Sequence, residues 1–292
     1  MKRLFLLFIL LLASGCIINQ GSNIRMSTDE GVVIKSFSPE YESVYSGEKI
    51  RLLMEIENVG ETSAEAINVN LHGFGNIDTK AVSVMGPATK ESAGDFYDFE
   101  WNIDAPPLTE GISNNYDVLG RLEYNYKTNA FATIKVIGLD QSRRGFEQEL
   151  VEVINTRGPV KIEVSGETVI IKPNTDNRYA FRITFRNVGN GVPIGNGVEE
   201  IGQMNVAVAL KAKAGTFLGS CVDKELTPEN EQTSTGNTIR LRNGESITKS
   251  CVIFFGSEWN NVIEDIVSLD ITASYRYAVE KYAQVEVKGV RK

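Results

Sequence analysis

Residues 47–60 read GEKIRLLMEIENVG, and residues 177–189 read NRYAFRITFRNVG. In the first stretch Ile50, Leu52, Met54 and Ile56 alternate with Lys49, Arg51, Leu53, Glu55 and Glu57. In the second, Tyr179, Phe181, Ile183 and Phe185 alternate with Arg178, Ala180, Arg182, Thr184 and Arg186. A two-residue rhythm of this length marks a strand with one face on a core and one in water. Both copies stop at Asn-Val-Gly, where Gly60 and Gly189 are expected to supply a positive φ at a turn.

The repeat continues outward. Ile67-Asn-Val69-Asn-Leu71 matches Val206-Ala-Val208-Ala-Leu210, with an extra Gly- and acid-containing stretch, Asn190 to Gln203, in the second copy. Asp95 to Ile103, with Tyr97, Phe99, Trp101 and Ile103 in phase, pairs with Thr248 to Phe255 in the second copy. Each copy then offers a Tyr-x-Tyr strand and a closing strand: Leu122 to Tyr126 with Ala132 to Ile137, and Ile271 to Tyr277 with Ala283 to Val287. Short alternating strands without a convincing amphipathic helix indicate an all-β chain of two tandem immunoglobulin-like β-sandwiches. The expected boundaries are 32–138 and 159–289. Between them lies a polar linker, 139–158, in which Phe146, Leu150 and Ile154 at four-residue spacing suit a short helix.

The N-terminus sets the expected compartment. Lys2 and Arg3 precede Leu4 to Ala13, an uncharged apolar run too short to span a bilayer, which needs roughly 20 residues. It ends in Ala13-Ser14-Gly15-Cys16, which resembles a prokaryotic lipobox, with Ala13 where Leu is commonest. Residues 1–15 therefore read as a signal peptide, Cys16 as the lipidated residue, and 16–31 as a flexible tether outside the fold. The expected location is extracytoplasmic, on the outer face of the cell membrane. Cys221 and Cys251 remain as an even pair in an oxidising compartment and are expected to form a disulfide.

The formal charge is −8, and loss of Lys2 and Arg3 with the leader makes the mature chain more acidic still. That balance disfavours nucleic acid and anionic membrane surfaces as partners. His72 is the one histidine and reads as a strand-end polar residue, which leaves no Ser-His-Asp or Cys-His set and no His-rich zinc site. Asp98 and Glu100 alternate with core aromatics and read as a solvated face, although a carboxylate pair is what glycoside hydrolysis would need. Oxygen ligands for calcium occur around Asp95 to Asp104, without an EF-hand pattern. No cofactor and no metal is expected. Trp101 is in phase with the core. Trp259 and Asn260, in a Gly256 to Asn261 loop, and Glu199 and Glu200, in the inserted loop, are the candidate contacts for a ligand or partner.

A strand into Asn-Val-Gly, an Ala-rich turn, a second alternating strand, and later Trp101, Ile103, Ala105 and Pro106 resemble the CARDB and related immunoglobulin-like domains of prokaryotic, in particular archaeal, surface lipoproteins. The likeness covers most of the first unit and less of the second. It implies adhesion or a place in surface assemblies and transfers no catalytic residue; fold alone does not fix function. The expected function is a non-catalytic structural and recognition module for other cell-envelope proteins. A carbohydrate-binding module, resting on Trp259, is the alternative.

Overall fold

The computed structural model describes residues 29–75, 79–195, 200–225 and 233–290. The expected signal peptide, Cys16 and most of the expected tether lie outside them. The first repeat contributes β1 (Val32–Pro39), β2 (Ser43–Tyr45), β3 (Lys49–Asn58), β4 (Ala64–His72), β5 (Lys80–Met85), β6 (Phe96–Asp104) and β7 (Ser113–Gly138). After α1 (Leu139–Arg143) come β8 (Glu152–Asn155), β9 (Val160–Ser165), β10 (Val169–Ile171), β11 (Asn177–Asn187), β12 (Val192–Ile194) and β13 (Gln203–Lys211). The chain then forms β14 (Thr216–Cys221), β15 (Lys224–Glu225), β16 (Thr233–Arg240), β17 (Ser246–Phe255) and β18 (Glu264–Lys288). The all-β reading holds, and the alternating faces fall where the sequence puts them. Ile50, Leu52, Met54 and Ile56 are all buried, as are Phe181, Ile183 and Phe185.

Three sheets result. One is β1-β3-β6, a second is β15-β14-β17-β11-β9, and the third, central sheet runs β16-β13-β18-β7-β4-β5. Gly120 in β7 shows how closely the layers pack, since a side chain there would run into Met54 and Phe37 of the facing sheet.

The expected turns after Tyr126 and Tyr277 are not there. The Tyr-x-Tyr strand and the closing strand are one continuous strand in each repeat, β7 and β18. These pair antiparallel without a break from Ser113↔Lys288 to Ile137↔Glu264. Two separate tandem sandwiches are therefore not what the pairing builds. The first half of β7 lies beside β4, and its second half, Ala132 to Ile137, lies against the β18 residues that continue into β13. Reciprocally, Ala283 to Val287 pair with Asp117 to Asn114 and Val118, next to β2. Each repeat's closing strand completes the other repeat's sheet. The ladder has near two-fold symmetry: Tyr124 faces Tyr277 and Tyr126 faces Tyr275, about a centre at Asn125↔Arg276.

The inner face at this centre is a cluster of four tyrosines. Tyr124 meets Tyr126 and Tyr277 at 5.8 Å, and Tyr275 lies 6.2 Å from Tyr126 and 6.1 Å from Tyr277. Burial pushes the hydroxyl pKa of Tyr124 and Tyr275 well up. Tyr275 shares a 2.7 Å hydrogen bond with Thr128, whereas the Tyr124 hydroxyl faces the Val32 amide without good hydrogen-bond geometry.

Both Asn-Val-Gly motifs dock against this cluster. The buried Asn58 donates to the carbonyls of Thr62 and Gly86 at 3.0 and 3.1 Å, and its Oδ1 accepts from the Gly60 amide. Asn187 accepts from the Tyr277 hydroxyl at 2.8 Å and donates to the Gly191 carbonyl at 2.8 Å. Gly60 and Gly189 do not have the positive φ expected of them. They are needed because a Cβ would strike Tyr126 at one site and Tyr277 at the other.

The tether boundary also moves. Glu30 is 3% exposed, and its Oε1 accepts from the Asn190 amide at 3.0 Å, so the fold begins before residue 32. The linker holds only the five-residue α1; Ile154 lies in β8, which pairs with Ala130 to Thr133.

Candidate functional site

Residues of β7 and β18 that do not face the tyrosines form the outer surface of the junction. Arg121, Glu123, Asn125 and Lys127 alternate with buried residues on β7, Ser274 and Arg276 do so on β18, and Glu280 follows in the same phase. The antiparallel register brings the two rows together into a chain of ion pairs. Arg121 Nε lies 2.6 Å from Glu123 Oε1, and its Nη1 lies 2.9 Å from Glu280 Oε1. Arg276 pairs with the second oxygen of Glu123. Burial acts to raise the Glu123 pKa, but the hydrogen bonds and charges of Arg121 and Arg276 outweigh it and hold the carboxyl below its ordinary value.

Two open clefts lie on this face. One, of about 580 Å³, is lined by Thr62, Glu65, Lys127, Asn205 and Arg276 among others. The second, of about 450 Å³, is lined by Arg121, Glu123, Ile201 and Glu280. Ile194 and Gly195 border both. The partition between the clefts is β12, the inserted segment of the second repeat, which pairs with Arg276 to Ala278 of β18. The insertion thus lies on the junction. Glu199 falls outside the described residues. Glu200 is half-buried, and its carbonyl accepts from the Gly195 amide at 2.9 Å.

The trough presents guanidinium, carboxylate and amide groups, with Glu123 and Glu280 already paired to its arginines. Such a surface can exchange ion pairs and hydrogen bonds with a polar partner. A carboxyl held ionised by two arginines is a poor general acid at neutral pH. His72 is exposed at the end of β4, opposite Leu119, and lines neither cleft. Among the described residues no group of three or more His, Cys, Asp or Glu is placed to hold a metal. No described helix is long and apolar enough to cross a membrane.

The structure corrects the reading of Trp259. It is not an exposed loop aromatic but fully buried, in a 3-10 turn at Ser257–Trp259 that folds the indole back under the second sheet. Its Nε1 donates to Thr216 Oγ1 at 2.7 Å, its ring meets Phe255 edge-on at 5.0 Å, and Lys213 covers it at 4.0 Å. An indole in that position cannot stack on a sugar. Asn260 is half-buried, and its side chain accepts from the Asn174 amide. The expected disulfide is present: Cys221 and Cys251 are directly opposed on β14 and β17, with Cα atoms 4.0 Å apart. Trp101 is core, and Asp98 and Glu100 are exposed.

Sequence reasoning missed the trough because its members are 159 residues apart for Arg121 and Glu280 and 153 for Glu123 and Arg276. The available signal was the run of charged outward positions on both Tyr-x-Tyr strands.

No family model matches the chain, and no curated protein does. Among solved structures, the secreted serine protease VesC from Vibrio cholerae aligns at 11% identity and TM-score 0.22, over 84% of this chain and 50% of that one. Escherichia coli alpha-2-macroglobulin activated by porcine elastase aligns at 8% identity and TM-score 0.18, over 88% of this chain and 33% of that one. Collagen adhesin from S. aureus aligns at 7% identity and TM-score 0.09, over 88% and 93%. The chain thus spans half or less of the first two proteins, and superpositions this poor carry no argument about its fold or its role.

Proposed function

We propose that this chain is a non-catalytic, lipid-anchored surface protein whose interlocked sheets act as a spacer and a recognition surface for other cell-envelope proteins. The compartment rests on the leader sequence and Cys16. The recognition role rests mainly on one observation, the Glu280–Arg121–Glu123–Arg276 chain along the trough, in which the buried Glu123 is held between two half-buried arginines. Arginine held in a fork between carboxylates is the residue type enriched in protein interfaces and suited to bidentate exchange with a partner's acids. The buried Trp259 removes the aromatic on which a glycan-binding reading stood.

A photo-crosslinking residue in place of the exposed Lys127, at the trough's edge, tests this on intact cells. The expected result is a small set of envelope-protein adducts that Arg276→Ala abolishes, with Cys16→Ser releasing the protein from the membrane. Adducts absent, or unchanged in Arg276→Ala, would contradict it.

A further inference from the structure

β6 stands at the end of the β1-β3-β6 sheet, and no described segment pairs with its second edge. The repeat shows what belongs there. Trp101, opposite Leu52 in the first copy, corresponds to Cys251, opposite Phe181 in the second. In the second copy that edge is occupied by β14, which pairs from Thr216↔Phe255 to Cys221↔Cys251. In the first copy only residues 73–79 separate β4 from β5, too short a span for a strand and its return.

The vacancy leaves two marks. On the inner face, Tyr97 is 39% exposed and Phe99 and Ile103 are half-buried, while the neighbouring β3 residues are sealed. On the outer face, Asp98 is directly opposite Glu55, and neither carboxylate has a cation among the described residues. Their neighbours are compensated, Glu100 by Arg51 at 2.7 Å and Asp104 by Lys49. Like charges directly opposite on adjacent strands are unfavourable, and an open edge of nine residues is something proteins usually block.

We propose that the free edge of β6 is a strand-addition site for an extended partner segment in which basic residues alternate with apolar ones. Its main-chain groups would complete the ladder. Its Lys or Arg residues would neutralise Asp98 and Glu55, and its apolar residues would cover Tyr97, Phe99 and Ile103. A second copy of this chain is the wrong occupant, because β6 against β6 sets one acidic row against another. The proposal rests on the reading of the chain as a protein-recognition module and names the partner's chemistry.

The test is hydrogen exchange on the full chain with three synthetic decapeptides: alternating Lys-Val, alternating Glu-Val, and Lys-Val with every second amide N-methylated. The Lys-Val peptide should protect the alternate amides between Asp98 and Asp104 that point away from β3, and the other two should not. Asp98→Lys should weaken Lys-Val binding by about tenfold or more without lowering Tm, because it also relieves Glu55. Three results would overturn the proposal: no protection of β6, equal protection by the Glu-Val peptide, or self-association through β6 seen in sedimentation. Loss of this site with trough adducts at Lys127 intact would leave the broader function standing.

Discussion

The hydroxyl of Tyr126 fills the space that a side chain at Gly60 would need. That hydroxyl accepts from the Thr62 amide at 3.1 Å and reaches the Arg157 carbonyl at 3.3 Å, so it is not free to move aside. Gly60→Ala should therefore destabilise the fold by about 1–3 kcal/mol, measured by urea unfolding. Tyr126→Phe in the same chain should recover part of the loss. Gly189→Ala should behave alike, since its Cβ would meet the Tyr277 hydroxyl at 2.6 Å and the Pro159 ring at 2.7 Å.

Two buried carboxyls should titrate in opposite senses. Glu123 has a depressed pKa, so its contribution is present above the unfolded value of about 4.3 and is lost as pH falls through its lower folded value. Glu123→Gln should cost about 1–3 kcal/mol near neutrality and flatten the acid limb of a Tm–pH profile. Glu30 is raised, first by burial, against the lowering effect of the Asn190 amide. The folded state therefore holds its proton more tightly, and this contribution is lost as pH rises through the raised folded value. Glu30→Gln, which can still accept from Asn190, should gain on the wild type as pH rises, in the same Tm series.

How much of this was legible varies with the physics of each feature. Period-two alternation exposes which face of β3 or β11 is buried, because that is a local property of the chain. It does not say which strand lies alongside. The crossing of β7 and β18 between the sandwiches left a trace that is easily passed over: Lys127 to Phe131 and Ala278 to Tyr282 contain no Gly or Pro, and the buried phase continues through the first of them. Glu30 reads as part of a tether because its partner, Asn190, is 160 residues away. The burial of Trp259 is not legible because an irregular turn shows no periodicity; the Thr216 hydroxyl and the Phe255 ring explain it.

Trp259→Ala should be strongly destabilising, by about 3–5 kcal/mol, because it empties the end of the second core and removes the indole N–H from which the Thr216 hydroxyl accepts. Thermal or denaturant unfolding checks this. Binding measured under conditions where the variant remains folded should be unaffected.

Removing the Cys221–Cys251 bond frees a loop with a sequence separation of 30 residues. Paired replacement by Ala should lower stability by about 3–4 kcal/mol on the chain-entropy model. Replacing Cys221 alone should cost at least as much, since it also leaves the buried Cys251 thiol unpaired. Denaturant titration with and without reductant checks both.

Interlocking of the two repeats through β7 and β18 is tested most directly by cutting the chain between them. A protease site placed at the exposed Gly145, just after α1, breaks the connection without touching either long strand. After cleavage, the halves should co-elute on size exclusion and unfold together in one transition, because each holds the other's closing strand. Halves that separate under native conditions, each with its own cooperative transition, would contradict the account.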